Sequence, residues 1–163
     1  MPDWLNKKAL RHERQLAWRA QFAVATRTPF GADAGVDPDS LVGEAVYDSE
    51  AVIAALRELA SGINRDRPFV PTLLEAALAV TRLVNMRPSW IDYCNERSRL
   101  DPAAADAESE MSRQYALADA VRAWPRFDDA QAAVGPATEA LRKLQSELAN
   151  FCGSDITSGC RAA

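Results

Sequence analysis

The chain has little with which to do chemistry. Its 163 residues include one histidine, His12, and three cysteines, Cys94, Cys152 and Cys160. A helical di-iron or zinc site needs histidines paired with carboxylates, as in Glu-x-x-His. His12 has no glutamate three residues before it and no second imidazole to share an ion, so it reads as a surface residue of a helix. Cys152 and Cys160 are separated by seven residues in a Gly/Ser-containing tail; a zinc site needs closer pairs and two further ligands. They read as free thiols near a frayed terminus. No Gly-rich phosphate loop is present, and no serine sits in a nucleophile-elbow pattern. Carboxylates gather at Asp101, Asp106, Glu108 and Glu110, and at Asp128-Asp129. Their surroundings are Ala-rich and charged, and some fall at helix starts, where acids favour the helix dipole. No constellation for an enzyme in its own right emerges.

Other shortages narrow the class further. No run approaches the ~20 apolar residues of a membrane span. The opening Met-Pro-Asp-Trp-Leu-Asn-Lys-Lys has no apolar core of a secretory signal. An odd number of cysteines without a leader points to reduced thiols in a cytoplasmic protein. Lysine is confined to Lys7, Lys8 and Lys143, and the net charge is −4. An acidic balance argues against a nucleic-acid partner, which favours clustered basic residues.

What the chain does have is helix-forming sequence. Hydrophobic residues make up 48% and charged residues 26%, the balance of a folded globular protein. A first helix is predicted over Trp4–Thr26, with Leu5, Ala9, Leu16, Phe22 and Val24 as a ragged apolar stripe, stopped by Pro29. Asp37-Pro38 reads as an N-cap followed by Pro at the first helical position. A second cap is possible at Tyr47-Asp48-Ser49, after which Val52, Ile53, Leu56, Leu59 and Ile63 form one helical face. Pro71-Thr72 with Glu75 reads as a capping box. Leu73, Leu74, Ala77, Leu78, Leu83 and Val84 then give a face wide enough for a mostly buried helix. Pro88 ends or kinks it, and a further stretch runs to about Leu100. Asp101-Pro102 repeats the start signal for a long helix over 103–123, ended by Trp124-Pro125. After Gly135-Pro136 the last helix carries Leu141, Leu144, Leu148 and Phe151, with Gly153 as its stop.

No segment alternates with period two. The expectation is therefore an all-α fold: one compact domain of about six to eight helices over residues 1–153, no sheet, and a flexible tail over 154–163. The four tryptophans, Trp4, Trp18, Trp90 and Trp124, fit two roles equally, as core fillers and as anchors for a partner. Trp4 leans to the second, because a terminal segment has little core to join.

Scattered landmarks then fall into order. Trp4-Leu5-Asn6-Lys7 opens the first helix, Thr28-Pro29-Phe30 follows about a helix later, and Arg113-Gln114-Tyr115 comes after an acidic helical stretch. Phe127, Gly135, Leu141 and Arg142 follow. In these places the chain resembles the gamma subunit of the soluble methane monooxygenase hydroxylase and its relatives that oxidise butane and other short hydrocarbons. It departs in lacking a proline-rich stretch after the Arg-Gln-Tyr position, where Ala116–Ala123 reads as continuing helix. The resemblance implies a non-catalytic structural subunit, with no cofactor in this chain. It implies alpha and beta partner subunits in an assembly of two copies of each chain, a di-iron centre in alpha, and a separate reductase and regulatory protein. The whole would hydroxylate or epoxidise small alkanes and alkenes with oxygen and NADH-derived electrons. Trp4, Thr28, Pro29, Phe30, Arg113, Gln114 and Tyr115 are the candidate subunit-interface residues on this reading. The competing expectation is a free-standing helical protein-binding module, such as an immunity protein, antitoxin or adaptor.

Overall fold

The structure, a computed structural model, describes residues 3–31, 38–100 and 121–153. They are helical, with no strand among them. Helix α1 spans Asp3–Ala25, α2 Thr28–Gly31, α3 Pro38–Gly62, α4 Val70–Leu100 and α5 Phe127–Gly153. Among the described residues these are five helices, against six to eight expected of the chain, and some expected boundaries are absent for local physical reasons. Tyr47-Asp48-Ser49 is no cap: Ser49 is fully buried and its hydroxyl donates to the Val46 carbonyl at 2.6 Å, inside a continuous α3. Pro88 does not end α4. It lies on the exposed side of the helix, where the carbonyl it leaves unpaired can meet water. Pro136 sits in the same way inside α5, which begins at Phe127 rather than after Gly135-Pro136. Thr72 does not cap α4 either. It lies within the helix and donates to Glu147 Oε1 on α5 at 2.8 Å. The stretch 103–120 and the tail 154–163 lie outside the described residues.

Four long helices make the body. Helix α1 packs on α3 and α5, and α4 packs on the same two. Helices α1 and α4 therefore occupy opposite corners of a four-helix arrangement, and the short α2 closes against α1, α3 and α5. The core is a ladder of aliphatic side chains from facing helices. It includes Val52, Ile53, Leu56 and Leu59 of α3, Leu73, Val80 and Leu83 of α4, and Leu141, Leu144 and Leu148 of α5.

Helix α1 contributes differently. Of its predicted apolar stripe only Leu16 and Val24 are buried; the rest of its inner face is Glu13, Ala17 and Ala20. Small residues there let α1 lie close to its neighbours, and they explain the ragged pattern. The wide face predicted for α4 also narrows. Leu73 and Leu83 are buried, while Leu74 and Leu78 are 62% and 64% exposed. Among the described elements α4 packs on α3 and α5, and Leu74 and Leu78 lie on neither contact face.

Two joints fix the ends of the body. Glu13 receives Arg67 Nε at 2.6 Å and Nη2 at 3.0 Å, and the Asn64 backbone N–H at 3.4 Å, tying α1 to the α3–α4 connection. Above it, the Phe151 ring meets Phe69 edge-on and lies under the guanidinium groups of Arg14 and Arg67. At the far end, Trp90 of α4 packs on Trp124 and Tyr93, with ring centroids at 5.2 and 5.9 Å. There Arg122 pairs with Asp39 at the start of α3.

Candidate functional site

Two features of the surface stand out: a cavity beside Trp90 and the outward faces of α1 and α4. The cavity, of about 540 Å³, opens between α3 and the second half of α4. Trp90 and Val121 form its apolar wall, Gly43 its closest backbone approach, and Glu44, Tyr47, Asp48 and Cys94 its titratable groups. Burial pushes the Cys94 thiol up to about 11, so it is protonated, and a poor nucleophile, at neutral pH. Burial also raises Asp48 above its ordinary value, against the opposing pull of the Arg27 and Arg87 charges. The arrangement can enclose an apolar group, and burial activates neither Cys94 nor Asp48 for attack.

A direct check is alkylation at pH 8, mapped peptide by peptide. Cys94 is expected to react far more slowly in the folded chain than in denaturant. Equal rates would show that the thiol is neither buried nor shifted.

Among the described residues, no group of three His, Cys, Asp or Glu side chains is placed to hold an ion. His12 is exposed on α1, as expected, and Asp128 and Asp129 are exposed in the first turn of α5. Cys152 departs from expectation. It is buried in the last turn of α5, and its Sγ donates to the Arg14 carbonyl at 3.5 Å. Cys160 and the carboxylates from Asp101 to Glu110 lie outside the described residues. No helix among the described residues is long and apolar enough to cross a membrane.

The expected interface residues separate. Trp4 is 65% exposed. Phe30 is buried at 1%, and Pro29 beside it is buried too. Both are used within this chain, because α2 tucks Phe30 into the core where α1, α3 and α5 meet. Thr28 belongs to α2, but its side chain lies outside the description, as do Arg113, Gln114 and Tyr115. The tryptophans divide evenly: Trp90 and Trp124 are core, whereas Trp4 and Trp18 face outward.

Other outward residues are ones that the sequence places on apolar, core-facing stripes. Phe22 is 57% exposed and stacks on Trp18 at 5.6 Å between ring centroids. Leu74 and Leu78 form a pair one turn apart on α4. The signal was available. Trp4 and Phe22 are eighteen residues apart, about five full turns, so they share one line on the helix, while Glu13, about two and a half turns from each, falls on the opposite side. The exposed aromatic line and the buried face of α1 are thus two separate patterns on one helix.

No family model matches the chain, and no curated protein or solved structure is significantly similar to it.

Proposed function

We propose that this chain is a non-catalytic helical subunit that packs on larger partner chains. More finely, we read it as the gamma subunit of a soluble di-iron monooxygenase hydroxylase acting on small alkanes or alkenes. The observation that carries the coarse reading is the pair of outward apolar faces, Trp4–Trp18–Phe22 on α1 and Leu74–Leu78 on α4, at opposite corners of the bundle. Large side chains gathered along a helix and kept in water are a cost that a monomer has no reason to carry and an interface does. Two such faces on opposite sides suit a chain held by more than one neighbour. The finer reading is supported by the order of Trp4-Leu5-Asn6-Lys7, Thr28-Pro29-Phe30 and Arg113-Gln114-Tyr115. On it, the iron, the oxygen chemistry and the hydrocarbon pocket lie in a partner chain, and this subunit contributes shape and fixed contacts.

The test is affinity purification of the full chain from its native host, with subunit masses and iron content. Two larger chains in equal amount, with iron that follows the largest, are expected. Recovery of the chain alone as a stable monomer would overturn both the coarse and the fine reading.

A second reading has its own support. The core is closed by the chain's own residues, including Phe30 and the Glu13–Arg67 joint, as a free-standing binding module requires. Such a module would be recovered in a one-to-one complex with one small protein and no iron.

A further inference from the structure

The outward line of α1 carries charge as well as aromatic rings. Trp4 stands at one end and the Trp18–Phe22 stack at the other, about 27 Å apart by helical rise. Between them, on the same side of the helix, lie Lys8, Arg11 and Gln15, all exposed. The helix holds five basic residues against two acidic ones, in a chain whose net charge is −4. Positive charge is therefore concentrated on this helix, and three of its carriers, Lys7, Lys8 and Arg11, lie within the exposed span.

From this pattern we propose that the outward face of α1 docks a partner protein presenting carboxylates between two apolar sockets. The inference rests on the reading of the chain as a docking subunit, and it specifies one of the two surfaces. Charge order argues for a protein over a bilayer. A helix lying in a membrane interface keeps its charged residues on the side opposite its apolar ones. In α1 that opposite side is packed into the core through Leu16, Ala17 and Ala20. Lys8 and Arg11 instead interrupt the apolar line itself, so insertion would draw them toward acyl chains. A protein can meet them with Asp or Glu while Trp4 and the Trp18–Phe22 stack fill sockets at either end. Aromatic anchors of this kind supply binding energy, and the charges between them set register and rate.

The test places a photo-crosslinking residue at position 15 in the full chain, expressed in its native host. The expected adduct is to a larger co-purifying chain, at a peptide that contains Asp or Glu. Its yield is expected to fall by about tenfold or more in Lys8→Glu/Arg11→Glu, the scale of opposing like charges across an interface. Changing the mapped carboxylate of the partner to Lys should restore it. Both substituted residues are exposed, and an unchanged circular dichroism melt controls for folding. Three results overturn the proposal: adducts to lipid together with flotation on phosphatidylglycerol/phosphatidylcholine vesicles, adducts to a second copy of the chain, or an adduct indifferent to the charge reversal. If the larger chains co-purify but nothing crosslinks from position 15, this surface assignment fails and the subunit reading stands. If no larger chain co-purifies, the subunit reading fails first.

Discussion

Replacing Arg67 with alanine is expected to lower the unfolding free energy by about 2–4 kcal/mol at pH 7, because it strands a carboxylate that is nearly sealed from water. Glu13 has a side-chain exposure of 8%, and its oxygens take two guanidinium N–H groups and one backbone N–H. Breaking a fully buried pair from one side costs roughly 3–5 kcal/mol; the 29% exposure of Arg67 places this pair somewhat lower. Burial alone would raise the Glu13 pKa. The Arg67 hydrogen bond, the Asn64 N–H and the charges of Arg67 and His12 outweigh it and hold the group below 4.5. A carboxyl with a lowered folded pKa contributes stability that is present above its unfolded value and lost as pH falls through the folded one. The Arg67→Ala variant reverses that sign, since a buried carboxylate without its partner is relieved by protonation. Its deficit against the parent should therefore begin to shrink above the ordinary carboxyl value of 4.5 and keep shrinking as pH falls through it. Asp48, with its raised pKa, gains from acidification in both proteins and cancels in the difference. Glu13→Gln/Arg67→Ala is expected to recover much of the loss, because a neutral amide costs far less to bury than a charge. Urea unfolding of the four members of this cycle at pH 7 and pH 4 measures all of it. Equal stability of Arg67→Ala and the double variant at pH 7 would show that the carboxylate is not stranded.

The joint also marks where sequence reading stopped. A lone Glu13 among charged neighbours and an Arg67 in a linker give no sign of meeting, since they are brought together only when α1 lies beside the α3–α4 connection. The α3 and α5 core faces were legible, because Val52, Ile53, Leu56 and Leu59, and Leu141, Leu144 and Leu148, repeat at helical spacing and are large. The inner face of α1 was not, because alanine contributes too little apolar surface to stand out against Phe22 and Trp18 on the other side. Leu74 and Leu78 were misread for the complementary reason: periodicity reports that a face is apolar, not that something within the same chain covers it. Prolines misled in one direction. Pro88 reads as an end or a kink and Gly135-Pro136 as a start, yet each proline lies on a solvated side within a long helix whose other side is held by packing on two neighbours, and tertiary contact outweighs the lost hydrogen bond.

The same distinction governs exposure. A reactive site is written in residue types, whereas a surface is written in which periodic positions remain uncovered after folding. Trp4 was identifiable because it precedes any core. Trp18 and Phe22 became visible as a pair only once Ala17 and Ala20 were seen to occupy the opposite side. Phe30, grouped with Trp4 by its place in an ordered set of landmarks, turns inward where α2 packs against α1, α3 and α5.

Gly43→Ala is expected to destabilise the protein by up to about 2 kcal/mol net, against the usual trend for glycine in a helix. Alanine in a helix interior is normally favoured over glycine by about 0.8–1 kcal/mol. At position 43 an added Cβ would lie 2.7 Å from Val121 Cγ2 and 2.8 Å from Trp90 Cζ2. The methyl group of Val121 can turn away. The indole of Trp90 has less freedom, since it is 4% exposed and held between Trp124 and Tyr93. Trp124 is itself pinned by its Nε1–H donating to Ser89 Oγ at 3.2 Å. Overpacking of a close-fitted site typically costs 1–3 kcal/mol, enough to exceed the propensity gain. Gly135 supplies the control within the same chain. It also lies inside a long helix, but nothing stands within 4 Å of its would-be Cβ, so Gly135→Ala should stabilise by roughly 0.5–1 kcal/mol. Trp90→Phe, which withdraws the outer indole edge, should reduce the cost of Gly43→Ala while being destabilising alone. Thermal and urea unfolding of the two alanine variants decides the matter: if both shift the same way, α3 does not approach Trp90 as closely as the geometry requires. If they shift oppositely, Gly43 is absent of side chain because the closest contact between α3 and the aromatic cluster at that end of the bundle, and the shape of the cavity beside it, depend on that absence.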